Sequence, residues 1–546
     1  MNFASRKFEP NEQQQALFDF ELAGDGSLVF IARAGTGKST TLVYLLPYTT
    51  GTVFMGAFNK KAAVELEEKV FRIHPKHIRD RVTIQTQHAA GLRAFSGSPG
   101  QSRPDVKGNK LYTMLDHLSE NNEVYAKYRS FLMKLVSLAK LAGFGVNTPE
   151  FPQVTDTSAW EHLIEWHNVE DELKDGAADV SSLITVAQGI YVQSLDYCKR
   201  AGGPFKKPTI DFDDMLLAPL FYNCKYPKYD RVLIDEAQDT SAVRREQNIR
   251  MLAPGGRLIA VGDDCQAIYG FTGADSDALE LIKTRLNCSV LPLTVTYRCG
   301  KRIVTEAQRW VPDIEAHEGN HEGSVGECFL EPEGDHETPD FWGMGPFTLE
   351  DAILCRNTKP LISLAYQFIR KGIPAKVEGR DIGYGLKAIA TRWKITELDK
   401  LEGKILEWGE KEVKRWEEKR HERKVEETRD KVETLIVLIA ATRDRGGYKV
   451  QDLVNLIDSM FADTDEGGPR CLTLSTIHKA KGREWRRVFI LGMEKYQPSK
   501  WAKQDWEKRQ EENLMYVAVT RAIQELWYLR VPLATKGRQA GPVSLW

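Results

Sequence analysis

The segment SLVFIARAGTGKSTTLVYLL, from Ser27 to Leu46, constrains the fold of this chain more than any other stretch. Ser27 to Ala32 is an apolar run of strand length. Two glycines and a lysine follow, and then a helix start. Strand, glycine loop and helix in that order form the context of a phosphate loop, and such a unit belongs in a parallel α/β sheet. Gly35 and Gly37 let the backbone approach phosphate oxygens closely. The N–H groups of Ala34, Gly35, Thr36, Gly37 and Thr40 and the helix N-terminus supply partial positive charge. Lys38 is placed to reach the outer phosphates, and the Ser39 hydroxyl to ligate Mg²⁺. Ala32 stands where the common pattern has glycine, at the mouth of the loop, where a methyl group is tolerated. An ordinary glycine-rich turn is the plain alternative.

A second half-site lies downstream. RVLIDEAQDT, Arg231 to Thr240, places Asp235 and Glu236 directly after an apolar strand. Ligands of open α/β sheets sit at the carboxyl ends of strands. Asp235 is expected to hold Mg²⁺, and Glu236 to orient and deprotonate an attacking water. In RLIAVGDDCQAIYGF, Arg257 to Phe271, Gln266 follows another strand and is placed to sense a terminal phosphate. Ser39 and Asp235 must touch one ion, yet they are far apart in sequence. Connections within a compact domain are short. A largely helical insertion is therefore expected from about Pro99 to Lys207.

The 546 residues allow about three or four domains. The net charge of −2 excludes a uniformly basic surface, so any nucleic-acid contact must be local. The eight cysteines include no C-x-x-C pair, which points to reduced thiols and no structural zinc. The chain shows no apolar run of membrane-spanning length and no signal-peptide core, so a soluble, cytoplasmic protein is expected. His317 to His321, HEGNH, fits the pattern H-E-x-x-H, but Gly319, Asn320 and Gly323 argue against the helix that zinc chemistry needs there. The charged stretch from about Thr391 to Val432 has i,i+4 charge pairs and apolar spacing at Leu398, Leu401, Ile405 and Trp408. It reads as a solvated helical arm.

The ordered motifs resemble one family, the superfamily 1 DNA helicases of the UvrD/Rep type. FEPNEQQQA resembles its adenine-reading motif, with Gln13 as the reader and Gln14 as a rival. AFNKKAAVEL, TQHAAGLRAF, IDFDDML and VGDDCQAIYGFTGA resemble the following motifs, with Gln87 where an aromatic is usual, Phe271 where tryptophan is usual and Thr272 where arginine is usual. LTVTYRC, AILCRNT, GIPAKVEG, LSTIHKAKGREW and EENLMYVAVTRA continue the series in order. The resemblance implies two RecA-like parallel-sheet domains forming an ATP cleft, each with a largely helical insertion. The implied segments are 1–98 and 208–290 for the first domain, interrupted by 99–207. The second domain takes 291–385 and 466–546, interrupted by a reduced insertion at 386–465.

The resemblance also implies roles. Arg298 and Arg521 would meet the developing charge on the γ-phosphate of ATP, Tyr297 would stack on the adenine, and Glu484 would contact the ribose. Phe58, Tyr269 and Phe271 would stack on bases of single-stranded DNA, with core packing as the plain alternative for each. His88, Arg356, Thr476 and His478 are further candidate DNA or coupling contacts. The implied partners are single-stranded DNA and junctions of single- and double-stranded DNA, the implied polarity is 3′ to 5′, and the motor is compatible with a monomer.

Overall fold

The computed structural model describes residues 8–24, 26–98, 103–173, 179–270, 273, 277–329, 347–370, 373, 375–378, 380–418, 422–460, 471–499, 502 and 504–530. It divides into two units, Met1–Val295 and Thr296–Trp546. Among the described residues no helix is long and apolar enough to cross a membrane.

The first unit is built on six strands: β1 (Leu28–Ala32), β2 (Val53–Ala57), β3 (Val82–Thr86), β4 (Tyr229–Ile234), β5 (Leu252–Gly262) and β6 (Ser289–Leu293). They pair in the order β3-β2-β4-β5-β1-β6, every pair parallel. Side chains alternate between faces along a strand, and both faces of a parallel sheet must be covered. Accordingly Leu28, Phe30, Val53, Met55, Leu233, Ile259 and Val261 enter one core, with the helix that follows the phosphate loop. Val29, Phe54, Val232, Ile234, Leu258 and Ala260 enter another. That second core continues into the helices Lys110–Ser119, Arg129–Ala142, Thr157–Trp166 and Val180–Lys199 between β3 and β4. The inserted helices thus share a core with one face of the sheet.

A buried charge cluster joins them to it. Lys110 Nζ donates to Asp214 at 2.6 Å and to the Ser194 carbonyl at 2.7 Å. Lys140 Nζ lies 2.8 Å from Asp211 and 2.7 Å from Asp214. Burial works against the Asp214 charge, but Lys110 and Lys140 overcome it and hold that carboxyl well below the usual range.

The second unit repeats the plan with β7 (Ser324–Phe329), β8 (Ala352–Cys355), β9 (Ala375–Val377), β10 (Leu472–Thr476), β11 (Trp485–Leu491) and β12 (Ala522–Arg530). Their order is β7-β12-β11-β8-β10-β9, again parallel throughout. Because β6 still pairs with β1, the first unit runs past the expected border at 290/291.

The charged stretch requires a correction. Leu398–Glu418 and Glu422–Asp444 form an antiparallel helical pair, with Val450–Met460 after it. Leu398, Leu401, Ile405, Leu435, Leu438 and Ile439 are each 1% exposed or less, in the same core as Ile353, Leu472, Leu474 and Phe489 of the sheet. Lys359 of the helix after β8 pairs with Glu433. The segment is therefore a solvated face on a helical layer of the second unit, and not a detachable arm. The high charge density reports only the outer face; the apolar spacing belongs to a face the sheet covers.

Leu438→Ala should lower the stability of the second unit by about 2–5 kcal/mol through a core cavity. Replacing residues 391–465 by a short linker should abolish its cooperative unfolding transition. A urea melt of each variant checks both outcomes.

Candidate functional site

In the first unit the candidate residues sit where the parallel strands end. After β1 the loop turns through Gly35 and Gly37 with φ of +73° and +85°, a region open to glycine. Helix Lys38–Leu45 starts directly behind it. Lys38 Nζ reaches the Ala32 carbonyl at 3.4 Å. After β4, Asp235 accepts a hydrogen bond from Ser39 Oγ. Two residues separated by the whole insertion thus meet at one point. Hydroxyl and carboxylate oxygens are the hard donors Mg²⁺ prefers. Burial and the neighbouring Glu236 push the Asp235 carboxyl up to about 6, against the Ser39 bond and the charge of Lys38. A bound divalent ion would reverse that balance.

Glu236 holds φ at +52°, a left-handed conformation rare outside glycine and asparagine and often found at functional sites. Its Oε2 accepts a 2.6 Å bond from Gln238 Nε2, which also donates to Asp239 at 3.3 Å. Gln238 Oε1 accepts from the backbone N–H of Asp263 at 3.0 Å. Asp263 in turn accepts from Gln266 Nε2 at 2.6 Å and pairs with Arg33 at 3.1 Å. The Asp263 carboxyl is fully buried, and burial raises its pKa against the pull of Lys38 and Arg33. Gln238, Asp263 and Arg33 were missed from sequence. Their signal was present, since each lies within three residues of Glu236, Gln266 or Ala34, but polar residues after strands are too common to single out.

The rival glutamines separate. Gln14 is 3% exposed and completes a capping box with Asn11. Its Nε2 donates to Thr41 Oγ1 at 2.9 Å, and Thr41 donates to the Gly37 carbonyl at 3.0 Å. Its amide is thus part of the support behind the phosphate loop. Gln13 pairs with Thr294 through both amide atoms, at 2.9 and 2.8 Å.

The candidate DNA residues of this unit lie toward the other end of the sheet. Phe58 follows β2, and Tyr269 lies beside it with ring centroids 6.0 Å apart and planes 13° apart. Both are half-buried. His88 follows β3 and meets Phe212 edge to face at 6.2 Å. Phe212 is 56% exposed, an aromatic at this surface that the sequence reading passed over. Burial and the Arg244 charge bring the His88 pKa down to about 4. Gln87, where the family usually has an aromatic, is buried and donates to Asn248 Oδ1 at 3.1 Å. Phe271 and Thr272 lie outside the described residues.

In the second unit two groups of candidates occupy opposite ends of strands. Glu484 and Arg521 precede β11 and β12. Arg298 pairs with Glu484 at 2.5 Å and donates to the Thr520 carbonyl at 3.4 Å. Arg521 is 1% exposed and donates to the carbonyls of Val517 at 2.9 Å and Arg483 at 3.0 Å, and to Thr520 Oγ1 at 3.2 Å. It is therefore no surface ion pair. Tyr297 is 44% exposed, with its ring 4.7 Å from that of His317. Glu318 and Gly319 lie in a turn, so HEGNH is not helical. Arg356 follows β8 and holds Glu511 with two donors, at 3.0 and 2.8 Å. Thr476 ends β10, and His478 lies just beyond, its pKa taken down to about 3 by burial and by Arg356 and Lys481.

Residues 10–287 match the UvrD/REP helicase N-terminal domain, and residues 386–530 match the UvrD-like helicase C-terminal domain. The chain belongs to the UvrD/Rep helicase family. Its relatives include a probable DNA helicase II homolog of Mycoplasma pneumoniae, 26% identical over 58% of this chain and 44% of that protein. The ATP-dependent DNA helicase UvrD1 of Mycobacterium leprae is 23% identical over 66% of this chain and 49% of its own length. The ATP-dependent DNA helicase PcrA of Bacillus subtilis is 26% identical over 52% and 37% respectively. The matched region thus spans less than half of each of these relatives.

The His88 and His478 imidazoles should stay neutral well below the ordinary histidine pKa, near 6.5. A chemical-shift titration should place their midpoints at about 4 and about 3. Asp263→Ala, which removes the buried acceptor of Arg33 and Gln266 and leaves Arg33 its pair with Asp264, should cost about 1–3 kcal/mol in a urea melt.

Proposed function

We propose that the chain is an ATP-driven motor that moves 3′ to 5′ along single-stranded DNA and separates duplex strands. The observation that carries this reading is the bond between Ser39 and Asp235, with Glu236 beside it, in a family whose relatives are named DNA helicases. Polarity rests on the family resemblance alone.

ATP is the substrate this site suits. Gln13 would read its adenine, Tyr297 would stack on it, and Glu484 would contact the ribose. The loop from Ala34 to Thr40, with Lys38, would hold the phosphates. Ser39 and Asp235 would hold Mg²⁺, which when bound neutralises phosphate charge. Glu236 would take the proton of the attacking water, and Gln266 would register the terminal phosphate. Arg298 and Arg521 would answer charge in the transition state, an effect worth about 10³–10⁵ in rate for such arginines. Arg521 must first exchange its backbone partners for phosphate. Phe58, Tyr269 and Phe271 would stack on bases, with His88, Arg356, Thr476 and His478 along the strand. Arg356 would do so while still clamping Glu511.

A second reading has one observation in its favour. The segment 398–460 is packed into the second unit's core, so it offers less free surface to duplex DNA than a separate domain would. That favours a translocase that strips proteins from single strands and unwinds weakly.

Lys38→Ala should abolish ATP turnover, and Glu236→Gln should bind ATP yet hydrolyse it at least about a hundredfold more slowly. Steady-state ATPase and nucleotide-binding assays check these, and near-normal turnover in either variant sinks the assignment. Duplexes with 3′ or 5′ tails then decide the motor's output. Unwinding of the 3′-tailed substrate supports the helicase, and movement without strand separation supports the translocase.

A further inference from the structure

Between the phosphate end of the first sheet and its aromatic end stands one cation with no assigned task. Arg244 lies in helix Ala242–Arg250, which follows the loop carrying Asp235 and Glu236. Its guanidinium sits over the Phe58 ring, 5.4 Å from the centroid. Among the described residues it has no hydrogen bond and no ion pair within contact distance. It nevertheless feels two carboxylates, Asp239 and Asp213, which favour its charge against the cost of burial. It also suppresses protonation of His88. Asp213 already accepts a 2.5 Å bond from Ser137. Arg244 is half-buried, and its guanidinium carries five donors.

Asp239 links this cation to the hydrolytic site. Gln238 shares its side-chain amide nitrogen between Glu236, at 2.6 Å, and Asp239, at 3.3 Å. That nitrogen has two hydrogens, and the shorter bond goes to the residue proposed as the base. The Tyr269 hydroxyl lies in the field of the same two carboxylates. Phe58, Tyr269 and Arg244 thus stand together as a stacking platform with a cation on it, Asp239, Gln238 and Glu236 form a hydrogen-bonded group, and the two groups meet through the field between Arg244 and Asp239.

We propose that Arg244 takes a backbone phosphate of the strand stacked on Phe58, and that this engagement is what reports the strand to Glu236. The inference rests on the reading of this face as the single-strand site. A phosphate draws the guanidinium away from Asp239. Asp239, losing a neighbouring cation, becomes the stronger acceptor for Gln238. The Gln238 donor swings toward it, and Glu236 is released to orient and deprotonate water. No bond to phosphorus is made by any of these residues. Arg244 is a positioning residue for the reaction and a direct contact for the strand.

The test uses the full chain with oligo-dT, first in wild type. If wild type neither binds oligo-dT nor shows stimulated ATPase, the single-strand reading itself fails, and this inference with it. Given wild-type binding and stimulation, Arg244→Ala should lower the slope of log affinity against log salt by about 0.7, the loss of one single-strand phosphate contact. Its ratio of stimulated to basal ATPase should fall about tenfold, the size of one charged hydrogen bond. Basal turnover should rise above wild type, since Asp239 has already lost its neighbour. Arg244→Lys should restore the salt slope. An unchanged slope, an unchanged ratio, or an equal fall of basal and stimulated rates in Arg244→Ala would overturn the proposal. The last of these is the signature of a packing role alone.

Discussion

The bond between Ser39 and Asp235 depends on the register of a parallel sheet. Ser39 follows β1 and Asp235 follows β4, with β5 between them in the sheet. Ala260 of β5 pairs with Val29 on one side and with Ile234 on the other, so the three strands run in register toward one edge. Their loops then open on one edge, at the positive end of the helix behind the glycine loop. A slip of one residue in β4 would turn Val232 and Ile234 out of one core and Leu233 out of the other. The two cores therefore fix the geometry of the phosphate site, and the chemistry follows from packing.

The same edge carries a second set of residues without mixing the two. The nucleotide candidates follow β1, β4 and β5, while Phe58 and His88 follow β2 and β3. Gln238, Asp239 and Arg244 belong to the chain after β4, at the boundary between the groups. The second unit separates its candidates differently. Arg356, Thr476 and His478 follow β8 and β10 at their carboxyl ends, whereas Glu484 and Arg521 precede β11 and β12 at their amino ends. One architecture, used twice, presents its residues side by side in one copy and end to end in the other.

Much of this could be read from the chain itself, for identifiable reasons. β1 and β4 are apolar runs bounded by glycine or paired acids, so their position and their loops are local properties. The meeting of Ser39 and Asp235 was expected from chemistry, on the ground that a single Mg²⁺ would need both. What stayed hidden were the commitments of long polar side chains. Nothing in EENLMYVAVTRA says that Arg521 turns inward onto three acceptors, or that Glu511 captures Arg356. The glutamines at 13 and 14 differ only in which side of a helix they face, and a capping box decides that. The charged stretch after Thr391 misled in a different way. Its composition describes water-facing positions, and its stripe of leucines gave no address for the surface that buries it.

The charge cluster under the inserted helices constrains how this sequence can change over time. Lys110, Lys140, Asp211 and Asp214 pair with one another in a buried cluster. Losing one member leaves an uncompensated buried charge, whereas exchanging matched partners for apolar residues of similar volume can be nearly neutral. Single substitutions therefore meet a barrier that paired ones avoid. Descendants of this chain can leave the arrangement only by compensated steps, so the join between insertion and sheet should drift more slowly than the apolar packing around it.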